Sequence, residues 1–199
     1  IDWHWFSTMY GVYYFAGCLV SFYAFLSILV VTFRKAGYMG GAVTVEHQHD
    51  VGKLFFGHIV FWAYIAFSQF VLIWYGNIPE ETIWFAHRWE GSWKPISIFL
   101  AAGHFWIPFF FLMSRWMKRW TTPLLIGACW ILFMHYVDLA WQILPNFHHG
   151  GYSFTVTDLT AFLGVGGLFL AGLGVWMKSG ALVPVKDPRL PESLAFENF

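Results

Sequence analysis

The chain has 199 residues, 58% of them hydrophobic and only 11% charged, against roughly 25% charged in an average soluble domain. That balance excludes a water-soluble fold, and a formal net charge of zero gives no reason to expect a nucleic-acid partner or an acidic substrate. Cys18 and Cys129 lie in apolar runs without a CxxC motif, so they read as small apolar core groups, not a disulfide framework or a metal site.

Five segments are long and apolar enough to cross a hydrocarbon layer of about 30 Å, which takes roughly 20 helical residues. In chain order they run from about Ser7 to Phe33, Val51 to Tyr75, Pro95 to Ser114, Thr122 to Leu144 and Asp158 to Met177, and are called helices A to E. The expectation is an all-α integral membrane protein with a five-helix transmembrane bundle over residues 1–178. The start "IDWHWFSTMY", with neither initiator Met nor signal peptide, is the pattern expected of a fragment of a longer membrane protein.

Between A and B, "EHQHD" at Glu46 to Asp50 reads as a loop in which Asp50 caps helix B. Its two histidines in HxH spacing are weak evidence for a metal and suit a cluster that gathers protons. Between B and C, "GNIPEETIWFAHRWEGSWK" predicts a short interfacial helix near residues 78–89, with Asn77 as N-cap, Pro79 in the first turn and Glu80 closing a capping box. Ile83, Trp84, Phe85 and Trp89 are residue types that sit at headgroup level, and His87 and Arg88 are expected to hold that helix to headgroups. His148 and His149 read as a mobile outer loop. In helix E, Gly167 and Ala171 have the small-xxx-small spacing of close helix packing. The tail, residues 179–199, has three prolines and alternating charge, and is expected to lie extended.

Nine of the eleven Lys and Arg residues fall in the A–B and C–D connections and after helix E, with only Arg88 and Lys94 on the other side. The positive-inside rule then puts the N-terminus outside and the C-terminus in the cytoplasm.

Ionisable groups at membrane depth are costly and usually functional. At 100° per residue, His135, Asp138 and Gln142 share a face of D, His58 and Gln69 share a face of B with Trp62 between them, and Ser97, His104 and Arg115 align on C. By rise per residue, His58 lies roughly 10 Å from the cytoplasmic end, His104 near mid-depth, and His135 and Asp138 in the outer third, with Asp158 at the outer mouth of E. Pro108 removes the hydrogen bond to the carbonyl of His104 and predicts a kink there. Haem ligation would need two imidazoles at one depth, and His104 and His135 are offset by roughly 6 Å on straight helices. A metal on His135 and Asp138 is weaker still, without a third ligand nearby. Staggered depths fit a proton path best, because histidine titrates near neutral pH and carries a proton on either nitrogen. The path residues are His58, His104, His135, Asp138 and Asp158, with Gln69 and Arg115 beside them.

The stretch "EHQHDVGKLFFGHIVFWAYIAFSQFVLIWYGNIPEET", with "HFWIPFFFLMSRWMKR" and "MHYVDLAWQILP" following in order, resembles the ActF-type membrane subunit of Alternative Complex III, a bacterial quinol-oxidising respiratory complex. That family is similar to the NrfD-like polysulfide-reductase membrane subunits, with about ten helices in two bundles, of which this chain would be the C-terminal half. The resemblance implies the bacterial cytoplasmic membrane, lipid contact, a second NrfD-like subunit, an iron–sulfur subunit and multihaem cytochrome c subunits, with a terminal oxidase as a further candidate partner. It also implies that haem c and iron–sulfur clusters belong to the complex, that quinol is its substrate, and that this chain binds no cofactor. Two other readings stay open: a purely structural anchor for the redox subunits, and a quinone-binding subunit whose pocket is lined by aromatic residues of B and C.

Overall fold

The computed structural model describes residues 2–39, 41–148, 151 and 155–197. His149, assigned above to the outer loop, lies outside them. The described residues are helical, without a β-strand. Helix A is α1 (Thr8–Lys35) and helix B is α2 (Val45–Gly76). The short α3 (Pro79–His87) follows. Helix C is a continuous rod of α4 (Trp93–Leu100), a π-helical turn (Ala101–Trp106) and α5 (Ile107–Met113). A one-turn α6 (Arg115–Arg119) leads into α7 (Thr121–Ile143), which is helix D. Helix E is α8 (Val156–Met177), and α9 (Leu190–Leu194) lies in the tail. Five of these helices, counting the rod of helix C as one, are long and apolar enough to cross a membrane, so the chain is an all-α, multi-pass membrane bundle.

Four helices form the bundle proper. α1 packs between α2 and α7, and the rod of helix C closes the ring against the same two neighbours. Among the buried positions of α1, Tyr13, Gly17, Val20, Ala24, Ser27 and Val31 alternate in steps of four and three, the seam spacing of helices packed near parallel. Small residues along that seam let α1 approach closely where lipid supplies no hydrophobic drive. α2 repeats the spacing with Phe55, Ile59, Trp62, Gln69 and Ile73, and α7 with Leu124, Ile131, Met134, Asp138 and Trp141. α8 stands outside this ring. It has no buried residue and touches the bundle through Phe169 on Phe25 and Phe162 on Tyr136. Gly167 has no neighbour within 4 Å of an added Cβ, so its small-residue spacing packs nothing within the described chain. Cys18 and Cys129 are exposed on the bundle surface, not in the core.

Polar staples close both ends. At one end Arg34 donates to Thr121 (3.1 Å), Arg119 pairs with Glu46, and Gln48 donates to the carbonyls of Lys118 (3.3 Å) and Arg119 (2.9 Å). Lys118 is buried there and donates to the carbonyls of Leu112, Met113 and Ser114, capping the open C-terminal turn of α5. At the other end Trp5 donates to the carbonyl of Glu81 and Trp93 to that of His148.

Several local expectations are corrected. "EHQHD" is the first part of α2 and not a loop, because Thr44 caps that helix and His47 closes the capping box. Asp50 therefore caps nothing and pairs with Lys53 one turn on. Asn77 is the left-handed C-cap of α2, with φ 48°, which ends the helix before Pro79 instead of capping α3. Trp84 is buried, stacked on Trp5 and edge-on to Trp141, so it anchors α3 to protein and not to headgroups. The tail contains α9, where Ser193 meets His47 at 3.1 Å, in place of a fully extended strand of chain.

Candidate functional site

The centre of the bundle holds a carboxylate. Asp138 occupies a seam position of α7 and is fully buried. The Tyr13 hydroxyl of α1 donates to its Oδ1, and the Trp62 indole N–H of α2 donates to Oδ2 at 3.1 Å. Gln142, one turn along α7, adds a side-chain hydrogen bond. Three helices thus meet on one side chain, and donors from α1, α2 and α7 hold a carboxylate at this depth.

Two imidazoles complete the cluster. His135 Nδ1 lies 4.0 Å from Asp138 Oδ2, as residues three apart on one helix must nearly meet. The His104 ring stacks on Trp62 at 3.7 Å between centroids and lies 6.4 Å from the His135 ring. One ligand-capable atom from each of His104, His135 and Asp138 falls within 4.8 Å of the others. His104 is fully buried, yet neither of its ring nitrogens has a hydrogen-bond partner among the described residues, nor does His135 Nδ1. A buried group left without a partner costs about 1–3 kcal/mol, so these nitrogens are positions where a water, an ion or a ligand would be held.

Backbone features make room for the rings. An added Cβ on Gly17 would lie 2.8 Å from His135 Cε1, so only glycine leaves α1 this close. His104 sits in the π-helical turn, where the amide of Ile107 reaches back to the carbonyl of Ala102. Such an insertion relieves the hydrogen bond that Pro108 cannot make, and π-turns recur at functional sites. The kink expected at Pro108 is thus realised as one extra residue, which shifts the register of helix C.

The remaining sequence-derived residues lie elsewhere. His58 is half-buried at the edge of the seam face, stacked on Tyr23 at 4.3 Å, with Nδ1 held 2.7 Å from its own helix's Leu54 carbonyl. Gln69 is buried on α2 with its Nε2 unpaired. Asp158 closes the capping box of α8, accepting from the Thr155 amide and hydroxyl at 2.8 Å each. Arg115 opens α6, past the break at Ser114, and is exposed, so it shares no stripe with Ser97 and His104. Ser97 donates to the Arg88 carbonyl at 2.7 Å and accepts from the Trp141 indole at 2.7 Å.

Arg88, expected at headgroups, is 1% exposed. Its guanidinium donates to the carbonyls of Trp84 (2.8 Å), Trp141 (3.0 Å) and Gln142 (2.7 Å) and lies 3.4 Å over the Trp84 ring. Burial draws its pKa down to about 9, which still leaves a cation at neutral pH. It caps the end of α7 one turn beyond Asp138.

An open, mostly apolar groove of about 850 Å³ runs beside the cluster, its walls including Phe67, Phe85, Phe105 and Trp106. Tyr13 and Trp62 also line it, so the two principal donors to Asp138 separate the carboxylate from the groove. Neither a family model nor a curated protein sequence matches the chain, and the site is read from its own geometry.

Proposed function

We propose that this chain is a membrane subunit of a quinol-oxidising respiratory complex of the Alternative Complex III kind, in which His104, His135 and Asp138 carry protons through the bundle. The observation that carries the proton reading is the buried cluster itself: a carboxylate and two imidazoles within reach, with three ring nitrogens unpaired. Imidazole accepts a proton on one nitrogen and releases it from the other, the property a relay needs. The wider assignment rests on the sequence resemblance, and carries with it the iron–sulfur, cytochrome c and second membrane subunits as proposed partners. It also carries the bacterial cytoplasmic membrane, with the Arg115–Arg119 end inside by the charge asymmetry. His58 and Gln69 would extend the path along α2, and Asp158 would mark its outer mouth at α8.

The test is Asp138→Asn in the assembled complex reconstituted into vesicles. Quinol oxidation should continue while the protons moved per electron fall. An unchanged ratio with normal assembly would remove Asp138 from the path and favour a purely structural anchor. The aromatic groove favours a second reading, a quinone-binding role, because its size and apolar walls suit a quinone ring and its isoprenoid tail. Under that reading Phe105→Ala should raise the KM for quinol and leave the proton ratio intact.

A further inference from the structure

We propose that His104, His135 and Asp138 form a binding site for one borderline divalent transition metal, of the Zn²⁺ class. Binding stands on the geometry alone, while its consequence, a block on proton movement, rests on the proton-path reading above. Three atoms no more than 4.8 Å apart lie at most about 2.8 Å from a common centre, against about 2.0–2.2 Å for zinc bonds to imidazole nitrogen and carboxylate oxygen. Side-chain movements of about 0.6–0.8 Å close that difference. Two neutral imidazoles and one carboxylate are a donor set that zinc favours, with a fourth position left for water.

The second observation is His104. It is fully buried and neither ring nitrogen has a hydrogen-bond partner among the described residues, so a nitrogen facing the cluster is available as a ligand. His135 Nδ1 is equally unpaired. Asp138 keeps a position to spare, since a carboxylate offers about four lone-pair positions and Tyr13, Trp62 and Gln142 occupy three. Those donors would then act as the outer shell that orients a metal-bound carboxylate. Entry lies on the His135 side, where the imidazole is 13% exposed and the other two groups are closed off. A dication seated there occupies the nitrogens a relay must leave free, so it would hold the path shut.

The probe is Co²⁺, which reports its ligands by visible absorption, titrated into the full chain purified in detergent and then displaced by Zn²⁺. One Co²⁺ per chain is expected, with affinity at least tenfold weaker in both His135→Gln and Asp138→Asn. Helical circular dichroism and thermal melting establish that each variant is folded. Gly17→Ala supplies an arm that removes no ligand: its methyl crowds His135 and should weaken binding in a folded protein. No bound metal, or binding that persists unchanged in all three variants at surface histidines such as His47, would overturn the proposal. In vesicles containing the complex, Zn²⁺ should lower the protons moved per electron. Bound metal with an unchanged ratio would uphold the site and overturn the proton path instead.

Discussion

Asp138 and Gly17 show how single residues set the centre. Trp62→Phe keeps a ring to stack on His104 but removes the N–H that reaches Asp138. It should cost about 1–3 kcal/mol, the penalty for leaving a buried acceptor short of a donor, read as a lower melting temperature in detergent. Gly17→Ala brings a methyl to 2.8 Å from His135 Cε1, and overpacking of this kind costs about 1–3 kcal/mol. Gly11, on the same helix with nothing within 4 Å, should accept Ala without loss in the same melt. His135 and Asp138 were legible in the sequence because two polar residues three apart stand out in an apolar run. Tyr13 was not, since its bond to Asp138 joins positions 125 residues apart and nothing near Tyr13 marks it as a donor. Gly17 was equally silent, because its meaning lies in the ring opposite.

At the scale of elements, both deeply buried cations do the same job. Arg88 closes the end of α7 and Lys118 the end of α5 by donating to carbonyls that the helices leave open. Burial draws the pKa of Lys118 down, as it does for Arg88. Arg88→Met should destabilise the fold by about 3 kcal/mol or more, since three buried carbonyls lose a charged donor. Arg88→Lys should recover only part of that, because an ammonium cannot reproduce the planar fork. Thermal melts of the two variants side by side check the order. Helix existence was readable from apolar length, and the five spans fall within six residues of their expected starts. The ends were less so. Thr44 and His47 displaced Asp50 as the cap of α2 because a histidine closes the box. Arg115 left the stripe predicted for it because the extended backbone at Ser114 ends helix C and starts α6, and the π-turn around His104 shifts the 100° count before that break.

For the molecule as a whole, four helices share one polar centre and α8 lies against them without a buried side chain. The seam of α1, α2 and α7 does not stand out in the sequence, because these helices are apolar on nearly every side. The outlying place of α8 could not be read either, because its composition is as apolar as the rest. Sidedness can be tested with Glu90→Cys and Trp116→Cys, both exposed positions at opposite ends of the bundle, in a background with Cys18 and Cys129 changed to Ser. An impermeant maleimide added outside intact cells should label position 90 and spare position 116. The reverse pattern would invert the proposed topology. In the proposed path Asp138 exchanges a proton while the complex turns over, and infrared difference spectroscopy of the reconstituted complex between quinol-reduced and oxidised states observes that directly. A carboxylic-acid C=O band that shifts in D₂O and disappears in Asp138→Asn is expected. A difference spectrum with no such band, or with one that survives the substitution, would contradict that exchange.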